Sequence, residues 1–186
     1  MAITKENILI QVNKDTKRKL SDIDVPLFNI LLDLSKRHAW LEAEEVGTLD
    51  VDAKASLPAD HASNDYLHIT ADDATLTKIS FGDYLNDILE GFAIRNKEIF
   101  ATTGYANKAY TFYYGKNHDS DLSTIEFDDE FFDAIVAGVN YKVFREISMF
   151  PEAREWENIY ENEISKLIDG TSDALEATEM KTRIRY

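Results

Sequence analysis

No cysteine occurs among the 186 residues, which excludes disulfide frameworks, thiolate zinc sites and cysteine nucleophiles together. Glycine is scarce, at seven, so little material exists for a loop that wraps backbone around a phosphate. Neither Gly-x-x-x-x-Gly-Lys, Gly-x-Gly-x-x-Gly nor Gly-x-Ser-x-Gly is present. No stretch approaches the roughly 18 apolar residues of a membrane span. The start, Met1-Ala2-Ile3-Thr4-Lys5-Glu6, lacks the basic region and apolar run of a leader, so a chain kept in solution is expected. Positive charge is also short: 20 Lys and Arg stand against 35 Asp and Glu, a net charge of −15. Gripping nucleic acid depends on cations that displace phosphate counterions, and this balance offers no such stripe.

What is present is a globular composition, 44 % hydrophobic and 30 % charged, with enough Phe, Tyr and Ile to fold. The acid is uneven, because residues 119–179 hold 17 Asp and Glu against 4 Lys and Arg. Four histidines, His38, His61, His68 and His118, show none of the spacings of a helical zinc site. His61 and His68 flank Asp65. The nearest approach to a metal loop is Asp119, Asp121, Ser123 and Glu130, which match positions 1, 3, 5 and 12 of a calcium loop, but Thr124 stands where the sharp turn requires Gly. A solvated acidic loop leading into a helix explains the same residues. Carboxylate pairs such as Asp128 with Asp129, or Asp72 with Asp73, are too common in so acidic a chain to single out a general acid. No cofactor and no catalytic residue is expected.

The hydrophobic period predicts helices at both ends and strands between them. Thr4 caps a first helix running to about Leu20, and Asp24 with Pro26 opens a second that ends near Trp40. From Gly47 the alternation of Leu49, Val51, Ala53 and Ala55 predicts a half-buried strand stopped by Pro58. Short apolar segments follow at Tyr66 to Thr70, Leu76 to Phe81, Phe92 to Thr102 and Ala109 to Gly115, with a helix inserted over Ser80 to Leu89. Tyr110-Thr111-Phe112-Tyr113-Tyr114 carries aromatic residues on both faces and should be central in the sheet. After the loop Asn117 to Thr124 the helical period returns, with Phe127, Phe131, Ile135, Val139, Val143 and Ile147 on one face. Pro151 ends that helix and opens another, with Trp156, Ile159, Tyr160, Ile164, Leu167 and Ile168 on one face and Gly170 beyond its end. Phe131, Ile135, Val139, Trp156 and Tyr160 are the expected core.

The expected class is therefore α+β: N-terminal and C-terminal helices form a bundle, with a small, mostly antiparallel sheet inserted between them and an extended C-terminal tail. Residues 1–170 are read as one domain, with helices over 1–46, a β-rich insertion over 47–115 and a helical hairpin over 116–170. In the arm over 171–186, Met180, Thr182, Ile184 and Tyr186 alternate with Lys181, Arg183 and Arg185, a strand-like and basic pattern at the end of an acidic chain.

The order of elements resembles the head-to-tail adaptor (connector, or head-completion) proteins of tailed bacteriophages. The features that carry the resemblance are Lys36-Arg37-His38-Ala39-Trp40 at the end of a helix, Ser56-Leu57-Pro58-Ala59-Asp60 at the end of a strand, and Phe92-Ala93-Ile94-Arg95-Asn96-Lys97-Glu98-Ile99-Phe100. Then come the aromatic strand, a loop with Leu122-Ser123, Phe127-Asp128-Asp129-Glu130-Phe131-Phe132-Asp133-Ala134-Ile135, and a helix containing Glu152-Ala153-Arg154-Glu155-Trp156 and Ile159-Tyr160. The match spans roughly residues 25–168 and departs from the family where a Gly-x-Pro often precedes the middle strand, since Gly91 is followed directly by Phe92. The resemblance implies a structural virion protein of the neck, with no enzymatic activity. It would form a ring with neighbouring adaptor subunits, often twelvefold, beneath the portal protein, and hold the next neck or tail protein below while DNA passes through. It also implies that the C-terminal segment reaches the portal, which nominates Met180, Lys181, Thr182, Arg183, Ile184, Arg185 and Tyr186 as portal-binding. The composition equally admits an acidic interaction module or inhibitor that engages a basic host protein.

Overall fold

A computed structural model describes residues 3–37, 40–72 and 74–183, with 63–67 and 171–183 described by their backbone alone. In chain order the elements are α1 (Lys5–Thr16), α2 (Asp24–Arg37), β1 (Glu42–Thr48), β2 (Lys54–Ser56), β3 (His61–Ala71), β4 (Ala74–Leu76) and α3 (Phe81–Leu85). They continue with β5 (Phe92–Arg95), β6 (Glu98–Ala101), β7 (Ala109–Lys116), α4 (Phe132–Glu146) and α5 (Phe150–Arg183). The class is α+β, helices preceding and following two small antiparallel sheets. The chain divides into two compact units, residues 1–31 with 120–186 and residues 32–119, so the division falls inside α2.

In the helical unit Thr4 caps α1 as expected, its Oγ1 accepting from the Asn7 N–H at 3.2 Å. The helix stops at Thr16, short of Leu20, because Lys17 adopts a left-handed conformation at φ 54°. The Asn13 side chain then clamps the returning chain: its Oδ1 accepts from the Leu20 N–H at 2.7 Å and its Nδ2 donates to the Leu20 carbonyl at 3.1 Å. Ile8 and Val12 of α1, Leu27 and Ile30 of α2, and Ile135 and Val139 of α4 are all buried. Phe131 and Tyr160 of the expected core are buried as well, whereas Trp156 is half-buried. Each fully buried side chain of this size contributes about 1.5–3 kcal/mol relative to exposure. Gly138 lets α2 approach α4 closely, since a Cβ there would lie 2.8 Å from Ile30 Cδ1 and 3.0 Å from its Cγ1 and Cγ2.

The turn between α4 and α5 is short, with Ser148 at φ 60°, and Pro151 sits in the first turn of α5, where its missing N–H costs nothing. The expected end at Gly170 and the extended arm after it are both corrected, for α5 continues as helix to Arg183. Ala174, Leu175, Glu176, Ala177, Glu179, Met180 and Lys181 are strong helix formers, and their summed propensity outweighs one glycine and a four-residue alternation. Ile184, Arg185 and Tyr186 lie outside the described residues.

In the β unit one sheet has the order β1-β7-β3-β4 and the other β2-β6-β5. The aromatic strand β7 is central, between β1 and β3, as its two-faced pattern predicted. Tyr110, Phe112 and Tyr114 point into a core shared by residues of both sheets, with Leu49, Ile69, Leu76, Phe92 and Ile99. The single strand expected from Gly47 to Pro58 is instead the end of β1, a turn over 49–53 and then the short β2: Asp50 Oδ1 accepts from the N–H of Asp52 and of Lys54, both at 2.8 Å, and Ala53 has φ 58°. An aspartate that bonds its own following backbone competes with a ladder. The strand lies earlier, over Glu42–Thr48, in a stretch whose Glu and Ala content reads as helical until β7 pairs with it. Phe92 to Thr102 is likewise a hairpin, turned by Asn96 and Lys97 at φ 53° and 65°, the geometry of a two-residue primed turn. Leu76 to Phe81 contributes only β4 and one isolated bridge between Lys78 and Phe92. The inserted helix forms, shortened to α3, and Ser80 caps it by accepting from the Asp83 N–H at 3.0 Å.

Candidate functional site

The acidic loop before α4 folds without a metal geometry. Asp121 Oδ1 accepts from the Ser123 N–H at 2.9 Å, which closes a local turn and holds the Asp121 carboxyl below its usual range. That turn replaces the glycine-dependent bend of a calcium loop, since Thr124 stands in the glycine position. Among the described residues no three His, Asp or Glu side chains converge as a metal site, the set Asp119, Asp121 and Glu130 included.

His61 and His68 do not converge either. His61 lies against Phe112 and Tyr114, with ring centroids 5.9 Å from each, while His68 stacks on Tyr113 at 4.4 Å. Successive strand residues face opposite sides of a sheet, so Tyr113 and the pair Phe112 and Tyr114 present opposite faces and separate the two imidazoles. Burial, and then the nearby Lys78 charge, push His61 below its usual value. Tyr114 donates to Asp60 Oδ1 at 2.9 Å, and burial together with that bond raises its phenol. His118 is buried, its backbone N–H donating to Ser35 Oγ at 3.0 Å. His38 lies outside the described residues.

One surface of the helical unit is a groove of about 410 Å³ among α1, α4 and α5. Phe132, Val136, Trp156 and Ile159 supply its apolar lining, and Asp15, Asp133 and Glu163 its charge. The helical spacing brings them together: Gln11 and Asp15 are four apart on α1, Phe132 and Val136 four apart on α4, and Trp156, Ile159 and Glu163 repeat at three and four on α5. Asp15 is held in place, accepting from Gln11 Nε2 at 2.8 Å and from Asn140 Nδ2 at 3.1 Å. Neither Asp15 nor Asp133 has an ion-pair partner among the described residues, whereas Glu163 pairs with Lys166 at 2.6 Å.

Sequence reasoning missed a second surface at the α4–α5 turn. There Tyr141, Arg145, Phe150, Arg154 and Glu157 line a shallow depression of about 740 Å³. Phe150 is 63 % exposed, Arg145 Nη1 donates to Tyr141 Oη at 2.6 Å, and Arg18 reaches Met149 Sδ at 3.5 Å. Arg18 comes from a distant part of the chain, and Arg145 and Arg154 are separated by the turn, so no local charge run announced them. No helix among the described residues is long and apolar enough to cross a membrane. No protein-family model matches the sequence, and no curated protein matches it at a significant level.

Proposed function

We propose that this protein is a structural subunit of a tailed-bacteriophage neck, a head-to-tail adaptor that forms a ring beneath the portal protein, holds the next neck or tail protein and lets DNA pass. The observation that carries the reading is the order of elements: α1 and α2, a β-rich insertion centred on the aromatic strand β7, then the hairpin of α4 and α5. That is the succession on which the resemblance rests. The helical unit offers a groove where the carboxylates of Asp15 and Asp133 have no ion-pair partner among the described residues, and assembly needs surfaces of this kind. The strong acidity suits a ring through which DNA slides without sticking. The basic segment Met180–Tyr186 suits a contact with a neighbour in the assembly.

A second reading is favoured by one observation, the carboxylates of Asp15 and Asp133 beside an apolar groove: an acidic module that binds a basic host protein. Native mass spectrometry of the full chain, alone and with the portal protein of the same phage, separates the two. The adaptor reading expects a multi-copy complex with the portal; a chain that ignores the portal and captures one basic protein at one-to-one stoichiometry supports the module.

A further inference from the structure

We infer that the groove among α1, α4 and α5 receives the C-terminal segment, Met180–Tyr186, of a neighbouring copy of the same chain. The inference rests on the ring reading and names one of its contacts. The two partners are opposite in charge, and each carries apolar side chains. The groove joins half-buried Phe132, Trp156 and Ile159 to Asp15, Asp133 and Glu163. The segment Met180-Lys181-Thr182-Arg183-Ile184-Arg185-Tyr186 has three cations and no acid, although the whole chain has a net charge of −15. Its Met, Ile and Tyr match the apolar lining, and its Lys and Arg match the carboxylates. An apolar anchor with flanking charges of the right sign gives register as well as attraction.

The length of α5 decides which copy supplies the segment. Glu163 and Arg183 are twenty residues apart on one helix, which spans about 30 Å at 1.5 Å per residue. The three residues after Arg183 reach at most about 10 Å. A segment carried at the end of that helix cannot return to the groove of its own subunit, so its occupant is a second copy. Such a contact is heterologous, using two different patches, and heterologous contacts close into rings when the rotation permits. Asn140 and Gln11 hold the Asp15 carboxylate through neutral amides, which leaves its charge available to an incoming cation. A single contact of this size is weak, and repetition around a ring strengthens it.

The test uses the full chain and a labelled synthetic peptide of residues 177–186. Fluorescence anisotropy should show saturable, salt-sensitive binding that weakens at least about tenfold in the Asp133→Lys, Glu163→Lys double variant. A peptide carrying Lys181→Glu and Arg183→Glu should lose binding to the wild-type chain and regain it on the double variant, a rescue that a folding defect could not produce. In the full chain, Tyr186→p-benzoylphenylalanine should photo-crosslink to α4 or α5 of another copy. Peptide binding that ignores the groove charges, or no binding, overturns the inference. Crosslinks to the portal alone also overturn it, while leaving the ring reading intact; absence of any portal complex removes the ring reading instead.

Discussion

Asn140, fully buried in α4, donates its side-chain amide to the carboxylate of Asp15 on α1 at 3.1 Å. Its own Oδ1 has no hydrogen-bond partner among the described residues. The bond joins a helix from the start of the chain to one that follows the sheets, and it fixes one carboxylate of the groove. Asn140→Asp would place a second carboxylate, buried, against Asp15. Breaking a buried polar pair in this way costs about 3–5 kcal/mol at neutral pH. The new carboxyl would have a folded-state pKa raised by burial and by Asp15. Its penalty should therefore ease as pH falls through that raised value. Urea unfolding at pH 7.5 and pH 5 measures this, and an equal loss at both would mean that Asn140 is not buried against Asp15.

Gly138→Ala should destabilise the protein although alanine is the better helix former. The propensity gain is up to about 1 kcal/mol, but the new methyl meets the branch atoms of Ile30 at 3.0 Å. A β-branched side chain held in a packed core cannot swing away, and overpacking costs typically about 1–3 kcal/mol. In an Ile30→Ala background the same substitution should become neutral or stabilising. A double-mutant cycle with no coupling between the two positions would show that α2 and α4 do not meet there.

His61 gives the fold a pH dependence whose sign follows from burial. Its folded pKa is lowered from 6.5, so the unfolded chain binds the proton more readily. The stabilisation is present in full above the unfolded value and declines as pH drops through about 6.5 toward the lower folded value. Nε2 is buried with no hydrogen-bond partner among the described residues, so protonation would bury a charge that none of them pairs. His61→Phe keeps the stacking on Phe112 and Tyr114 and removes the titration. Thermal melts between pH 7.5 and 5 should show a smaller acid-side loss in the variant, with stability at pH 7.5 unchanged or improved. Parallel curves would reject the assignment.

Gly91 stands where a side chain would strike backbone, since a Cβ there would lie 2.2 Å from the Thr77 carbonyl oxygen. That contact belongs to the pairing in which the Phe92 N–H donates to Thr77 O at 3.0 Å and the Ile79 N–H to Phe92 O at 2.8 Å. Gly91→Ala must separate the two segments and expose Phe92, so the loss should exceed the roughly 0.5 kcal/mol scale of surface changes several-fold. Equilibrium unfolding checks it; a surface-sized change would place Gly91 outside the core edge.

The helices were legible because their stripes were long. Phe131, Ile135 and Val139 repeat often enough to fix both a helix and its buried face, and Thr4 and Pro151 mark starts whose chemistry is local. Tyr110 to Tyr114 announced a central strand because aromatic residues on both faces need cover on both sides. The errors fell where a short pattern met a stronger competitor. Asp50 turned an apparent strand by bonding its own backbone, and Glu42 to Thr48 became a strand only through pairing with β7, a partner more than sixty residues away. The groove was harder still. Its carboxylates were visible as acidic surplus, but Asp15, Asp133 and Glu163 meet only when three helices pack, and charge counting cannot say which carboxylates share a surface.

The most direct test of the adaptor reading is electron microscopy of portal rings mixed with the full chain. Class averages should gain a second ring of density on one pole of the portal, concentric with its channel. Portals that stay bare at saturating protein, with the chain running as an unassociated species beside them, would contradict it.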